Sequence, residues 1–398
     1  MQPPRKQRRA VTYLLFAVAV ALVAVGAAAM PHLRNHLTPP PPNPPPLVEL
    51  HAPPPANDRP RVEVVFALDT TGSMSGLIDG AKRKIWSLVD FISSAEPRPD
   101  VRIGLVAYRD VGDAYVTRFY DLSSDLDGVF QNLSSFEAGG GGDTPEHVSK
   151  ALSDAVERTH WSSGKNVIKL IYVVGDAPPH VDYNDGYDYK SLALKASHLG
   201  IRVNAIRCGD DAETERYFAE IARAGQGQFA SIAQSGGMAD VRTPYDDKLA
   251  GLNRKLMETA VGYGKDRDLR SRLAGALAAP TTVQADRASL FGKISKALGG
   301  SARNDDLVEA YGSGGLAAVA AIPAADLPAE VAAMAPPARA DYVAHKKAER
   351  DEVLSEINSL AAQRQRFLKS KPAASRADSF DERVRRSIVD ESAGVLKF

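Results

Sequence analysis

The chain has 398 residues, 44% of them hydrophobic and 25% charged, with 49 basic and 49 acidic side chains in balance. A balanced charge gives no support for nucleic acid or a strongly charged partner. A single cysteine, Cys208, excludes an internal disulfide, and a domain of this size buries an adequate core without one.

The amino terminus suggests an address. Arg5, Lys6, Arg8 and Arg9 fall within residues 1–10, and Val11 to Met30 is uncharged and almost wholly apolar. About twenty residues at ~1.5 Å each match the ~30 Å core of a bilayer. Residues 11–30 are therefore predicted to be a transmembrane signal anchor, with residues 1–10 as a cytoplasmic leader and everything later outside the cytoplasm, periplasmic or extracellular. Ala27-Ala28-Ala29 also fits a signal-peptidase site, which would make the protein secreted after cleavage. Residues 31–60 favour the anchor. Their runs PPPPNPPP and APPPAND suit polyproline II, a semi-rigid stalk rising about 3.1 Å per residue, which makes sense if the chain stays tethered.

From residue 61 to about 240 the pattern is α/β. Val62 to Leu68 (VEVVFAL), Arg102 to Tyr108, Ala114 to Tyr120, Ile168 to Val174 (IKLIYVV), Ile201 to Cys208 and Gln228 to Ile232 read as six strands. Gly76 to Ser93, Pro145 to Arg158, Tyr187 to His198 and Thr214 to Arg223 read as the helices between them. Strands alternating with helices predict a doubly wound, mostly parallel six-stranded sheet with helices on both faces. The turn at Arg109 to Asp113 is too short for a parallel crossover, so the second and third strands are expected to pair antiparallel. Cys208 falls in a strand and is expected to be a buried core residue.

Three loops rich in oxygen ligands follow strands or open helices of this region. They are Asp69-Thr70-Thr71-Gly72-Ser73, then Gly139-Gly140-Gly141-Gly142-Asp143-Thr144-Pro145-Glu146, then Gly175-Asp176. Ligand sites of open α/β sheets lie off the carboxyl ends of the strands, so these loops can meet. Hydroxyls and carboxylates without His or Cys favour Mg²⁺ or Mn²⁺ over Zn²⁺. Each piece also has a plainer reading. Thr144 followed by Pro145 is a good helix start, and Asp-Thr-Thr-Gly-Ser can be a strand-to-helix turn whose side chains cap backbone N–H groups. Three segments fitting in order at the ends of successive strands favour the metal.

Over roughly residues 60 to 233 this pattern resembles the von Willebrand factor A (vWA) domain, whose metal-ion-dependent adhesion site has the form D-x-[ST]-x-S, then Thr, then Asp. The resemblance implies that Asp69, Thr71, Ser73, Thr144 and Asp176 are the metal positions. Thr71 stands where Ser is usual and Gly-Asp-Ala where Asp-Gly is common, and neither departure removes a ligand. It also implies an antiparallel edge strand. By the same resemblance, hydroxyls of Thr71, Ser73 and Thr144 bind directly, Asp69 and Asp176 hold coordinating waters, and a protein partner presenting Asp or Glu completes the shell. The arrangement of such a domain with a helical tail is similar to that of bacterial vWA proteins.

The expectation is thus an envelope-anchored binding module and not an enzyme. One alternative is a structural or assembly subunit in which metal is incidental. Another is a metal-dependent hydrolase, suggested by His147 and His180 in the metal-bearing loops. No Ser-His-Asp order, G-x-S-x-G, Walker lysine motif or H-E-x-x-H supports catalysis, and both histidines fall where surface positions are common. Asp182 to Tyr189 is read as a solvated, acidic and Tyr-rich turn that shapes specificity. Residues 241–398 are predicted to be a helical extension, with helices at Pro244 to Gly262, Thr281 to Leu298, Asp305 to Tyr311 and Arg339 to Lys369. Arg350 and Arg364 interrupt a clean heptad in the last of these, which favours packing within the chain over a coiled coil.

Overall fold

A computed structural model of the chain describes residues 59–142, 144–238, 241–264, 277–298, 306–370 and 379–398, together with Leu269. The predicted leader, the predicted membrane span and all but the last two residues of the stalk lie outside them. Among the described residues no helix is long and apolar enough to cross a membrane.

Six strands build one sheet in the order β3-β2-β1-β4-β5-β6. They are β1 (Arg61–Asp69), β2 (Asp100–Tyr108), β3 (Thr117–Ser123), β4 (Val167–Gly175), β5 (Ile201–Cys208) and β6 (Gln226–Ile232). Every neighbouring pair is parallel except β2 with β3, as the sequence predicts. The sheet grows outward from β1 to β3 on one side and from β4 to β6 on the other. The chain segments leaving β1 and β4 therefore diverge at the centre, the switch point where open α/β sheets bind ligands.

The sheet is central because its strands are apolar on both faces. Val62, Val64, Phe66 and Leu68 of β1 face one core, while Val65 and Ala67 face the other. The first core is covered by α1 (Ser75–Ile92) and α2 (Leu126–Ser134), the second by α3 (Val148–Ser153), α4 (Tyr189–His198) and α5 (Ala212–Ala224). Cys208 is buried in the first core, as expected.

Some boundaries differ from the sequence reading. β3 starts at Thr117 and not Ala114, because Tyr115 turns its hydroxyl onto Thr70 Oγ1 at 2.8 Å while the Val116 carbonyl accepts from Arg109 N at 3.0 Å. Helix α3 starts at Val148 and not Pro145: the Glu146 N–H donates to Pro178 O at 2.9 Å, which holds the segment out of a helix. Helix α2 is absent from the sequence reading, although Asp125 caps it by accepting from Gly128 N at 3.2 Å.

Five longer helices follow among the described residues, with one short turn of α-helix at Ala329–Ala332 between the third and fourth: α6 (Asp246–Glu258), α7 (Thr281–Leu298), α8 (Leu307–Ala320), α9 (Pro336–Lys369) and α10 (Phe380–Glu391). Three of them share the sheet's first core, α6 through Met257. Leu290 and Phe291 of α7 join it beside Trp86, and Phe380, Val384 and Ile388 of α10 join it beside Phe66 and Tyr172. Burying each such side chain contributes roughly 1.5–3 kcal/mol, so α10 is a working part of the sheet's cover.

The two arginines that interrupt the α9 heptad are buried and paired. Arg350 donates to Asp306 Oδ2 (2.7 Å), Glu309 Oε1 (2.9 Å) and the Thr259 hydroxyl (2.9 Å) and carbonyl (2.9 Å). Arg364 donates to Asp246 Oδ1 at 2.7 Å and Asp286 Oδ1 at 2.5 Å. These pairs tie α9 to α6, α7 and α8, so packing within the chain is what the observed contacts record.

Candidate functional site

Asp69 is the last residue of β1 and is fully buried. Its Oδ1 accepts from the Thr71 N–H at 2.8 Å and from Thr71 Oγ1 at 2.6 Å, which turns the Thr71 hydroxyl toward the site. Thr71 Oγ1 lies 3.4 Å from Ser73 Oγ, in the single 3₁₀ turn Gly72–Met74 that leads into α1. Thr70 points the other way: its hydroxyl donates to Tyr108 O at 2.9 Å and belongs to the scaffold.

Asp176 follows β4 and lies beside Asp69, where its charge adds to what burial does to the Asp69 carboxyl. Its Oδ2 accepts from Gln234 Nε2 at 2.6 Å, and Gln234 Nε2 also reaches Ser73 O at 3.4 Å. Gly175 is required by close approach, because a Cβ there would meet the Tyr108 hydroxyl and lie 3.2 Å from Asp69 Oδ2.

The glycine-rich loop is strapped to the first loop by its backbone. Gly139 N donates to Thr70 O at 3.0 Å and Gly72 N to Gly140 O at 3.4 Å. Gly140 has φ +80°, and a Cβ on it would collide with the Asp113 carboxylate, so side chains are excluded there twice over. Thr144 is exposed and does not cap the helix that follows; His147 does, accepting from Lys150 N at 3.3 Å.

Besides Gln234, two residues outside the sequence-derived set belong to this arrangement. Glu146 is 2% exposed, and a Cβ on Gly141 would lie 3.6 Å from its Oε1 and 3.4 Å from Thr71 Cβ, so its carboxyl borders the same space as Thr71. The signal for it was its place in Thr144-Pro145-Glu146, which the sequence reading spent on helix capping. Arg109 is the second. It donates from Nε to Thr70 O at 3.1 Å and from Nη2 to Glu137 O at 2.7 Å, while its carbonyl accepts from His147 N at 3.2 Å. One planar guanidinium thus pins the first loop to the second, a task its rigid fork of donors suits. A lone arginine ending a strand carries no signal of this in sequence.

The electrostatics of the site are those of buried carboxyls set beside other acids. Asp69 Oδ2 and Glu146 Oε2 are buried with no hydrogen-bond donor in reach. Burial pushes the Asp69 carboxyl up to about 7, the Asp176 charge adding to it. Burial, then the charges of Asp69, Asp110, Asp113 and Asp176, pushes Glu146 up to about 9. Such a group requires either protons or a cation. Among the described residues no three His, Cys, Asp or Glu side chains converge to hold a metal alone. A thiolate and imidazole site is thus absent there, and the hard carboxylate and hydroxyl donors fit an oxygen-seeking divalent cation.

The histidines differ from the sequence reading, which put them at the surface. His147 is 4% exposed; its Nε2 pairs with Asp185 at 2.8 Å, and burial lowers its basicity. His180 is stacked on Tyr183 at 4.0 Å between ring centroids, with Nδ1 2.8 Å from Asp182 and Nε2 3.3 Å from Asp110. Both rings hold loops in place. The Asp182 to Tyr189 turn is exposed for most of its length, as expected, but Tyr183 anchors it by donating to Asp110 Oδ2 at 2.7 Å.

Residues 63–243 match the model of the von Willebrand factor A domain. A Dictyostelium discoideum alpha-protein kinase, vwkA, is 28% identical over 159 residues, 37% of this chain and 22% of that one. Human von Willebrand factor A domain-containing protein 7 is 36% identical over 120 residues, 30% of this chain and 12% of that one. The chain thus spans only about a fifth or less of the length of these relatives. Among solved structures, an aerotolerance-related membrane protein from Bacteroides fragilis aligns over 44% of this chain and 92% of its own, with 21% identity and a TM-score of 0.32.

Proposed function

Residues 63–243 belong to the von Willebrand factor A domain family, and from that premise we propose that the protein binds another protein through a divalent cation, Mg²⁺ or Mn²⁺, held at the ends of β1 and β4. The observation that carries this reading is the buried Asp69 Oδ2, which faces other carboxylates with no donor in reach. Thr71, Ser73 and Thr144 would supply hydroxyl ligands, Asp69 and Asp176 carboxylates, directly or through water, and Glu146 a further carboxylate. When bound, the cation offers a Lewis-acidic position at which an Asp or Glu of the partner is the remaining ligand.

The chain's own residues prepare that position. Asp69 Oδ1 fixes the Thr71 hydroxyl, Gln234 holds Asp176 and Arg109 keeps two loops in register. The histidines are committed to carboxylates of the loops, which favours binding over hydrolysis as the site's use. The reading extends to an envelope protein with this domain outside the cytoplasm, tethered through residues 11–30. That part rests on the basic leader, apolar run and proline stalk of the sequence.

The test is capture from envelope extract by the intact chain in Mg²⁺ and in chelator, beside Asp69→Ala. Proteins retained only in Mg²⁺ and only by the wild type are expected. Retention that survives both chelator and the substitution contradicts the reading.

A further inference from the structure

We infer that the partner carries its metal-completing carboxylate inside a basic segment, one Asp or Glu flanked by Lys or Arg; this rests on the metal-bridged reading above. The chain as a whole is neutral, yet its charge is unevenly placed. Segments 109–115, 137–142, 144–147 and 176–190, which border the site, hold eight Asp or Glu against Arg109 and Lys190, with Lys150 beside them 5.1 Å from the centre of the Tyr187 ring. Arg109 is buried and engaged with backbone carbonyls. A divalent cation offsets only two of those charges. A bare carboxylate would approach against a net negative field, which slows encounter and weakens docking, whereas flanking cations reverse the sign.

The surface beside the metal positions is built to receive such a segment. Glu146 is tied to the loop after β4 by Glu146 N to Pro178 O at 2.9 Å and His180 N to Glu146 O at 3.1 Å, and Tyr183 ties that loop to Asp110. The platform is therefore continuous with the site. On it Val111 is 58% exposed and Val181 64%, with Tyr187 also exposed, and the Asp182 side chain is 74% exposed. Asp110, 4% exposed, keeps Oδ1 without a donor. Lys and Arg suit this mixture because their methylene stems cover apolar surface while their charged ends reach carboxylates and ring faces. A polyanion such as nucleic acid is excluded by the same field.

The test measures binding of four synthetic peptides to the intact chain in Mg²⁺. Three carry one central Asp flanked by Lys/Arg, by Ser/Gly or by Glu, and the fourth repeats the basic peptide with Asn for Asp. The basic Asp peptide is expected to bind about tenfold tighter than the neutral one at low salt. That advantage should shrink severalfold at ~0.5 M salt, where the Debye length falls below about 5 Å, and in Glu137→Gln/Asp182→Asn, both exposed positions outside the metal set. Equal affinity of the basic and neutral Asp peptides, or no binding of the basic one at millimolar concentration, overturns the inference while leaving the metal reading standing. Equal affinity of the basic Asp and Asn peptides overturns the metal reading and this inference with it.

Discussion

Two of the regions in which the chain buries carboxylates treat them in opposite ways. In the helices packed around the sheet three clusters of buried acids meet a guanidinium: Asp127 of α2 takes two bonds from Arg287 of α7 at 2.7 and 3.0 Å, Asp306 and Glu309 face Arg350, and Asp246 and Asp286 face Arg364. At the carboxyl end of β1 and β4, Asp69 and Glu146 are buried against other acids. Arg109 is close by but spends its donors on the carbonyls of Thr70 and Glu137. The fold can pair a buried acid with an arginine and does not do so at Asp69 and Glu146, which supports the proposed cation there. Stability is served in one region and surrendered in the other.

The largest effect expected is in the paired region. Arg350→Ala strands Asp306 and Glu309 in the interior and should destabilise the protein by about 3–5 kcal/mol in urea titration. A loss under ~1 kcal/mol would mean that water reaches those acids and that the contrast between the regions is false.

The opposite signature belongs to the proposed metal site. The folded-state affinities of Asp69 and Glu146 for protons lie above their ordinary values of 3.8 and 4.5. Their stabilising contribution is complete below those ordinary values and is lost as pH rises through about 7 for Asp69 and about 9 for Glu146. The metal-free protein should therefore lose a few kcal/mol between pH ~4 and ~8, with millimolar Mg²⁺ restoring most of it at the upper end. A melting temperature flat over that range would sink this account of the carboxylates. Asp69→Asn keeps the acceptor for Thr71 and removes one charge. At pH 8 without metal it should be more stable than wild type by roughly 1–3 kcal/mol, and its melting temperature should no longer respond to Mg²⁺.

How much of this was legible in the sequence follows the same division. The strands announced themselves as aliphatic runs because a central parallel sheet is apolar on both faces, and loops ending β1 and β4 are bound to meet at a switch point. Asp69, Thr71 and Ser73 could be read together because they sit within five residues, and the structure places them together with Asp176. Glu146 was hidden by ambiguity: a Thr-Pro-Glu run starts helices as readily as it lines a site, and only the bridge from Glu146 N to Pro178 O shows which it does. Arg109 and Gln234 act through backbone carbonyls or one distant carboxylate, contacts with no spacing rule. Helix α10 escaped because FDERVRRSIVDE has only Phe380, Val384 and Ile388 on its buried face amid charges, a pattern that looks like surface until a sheet lies beneath it.

The smallest effect sharpens the role of Arg109. Arg109→Lys keeps the charge but loses the planar fork that joins Thr70 to Glu137. Divalent affinity should fall about tenfold, in line with outer-shell changes at metal sites, while the melting temperature of the metal-free protein moves by only a few degrees. Equal affinity in calorimetry would make Arg109 a packing residue alone.

The most direct test is a calorimetric titration of Mg²⁺ and of Mn²⁺ into the intact chain at pH 8, with Asp69→Asn in parallel. One saturable site in the wild type, absent from the variant, is the result the account predicts. No heat at millimolar metal in the wild type, or the same isotherm in both proteins, would contradict it.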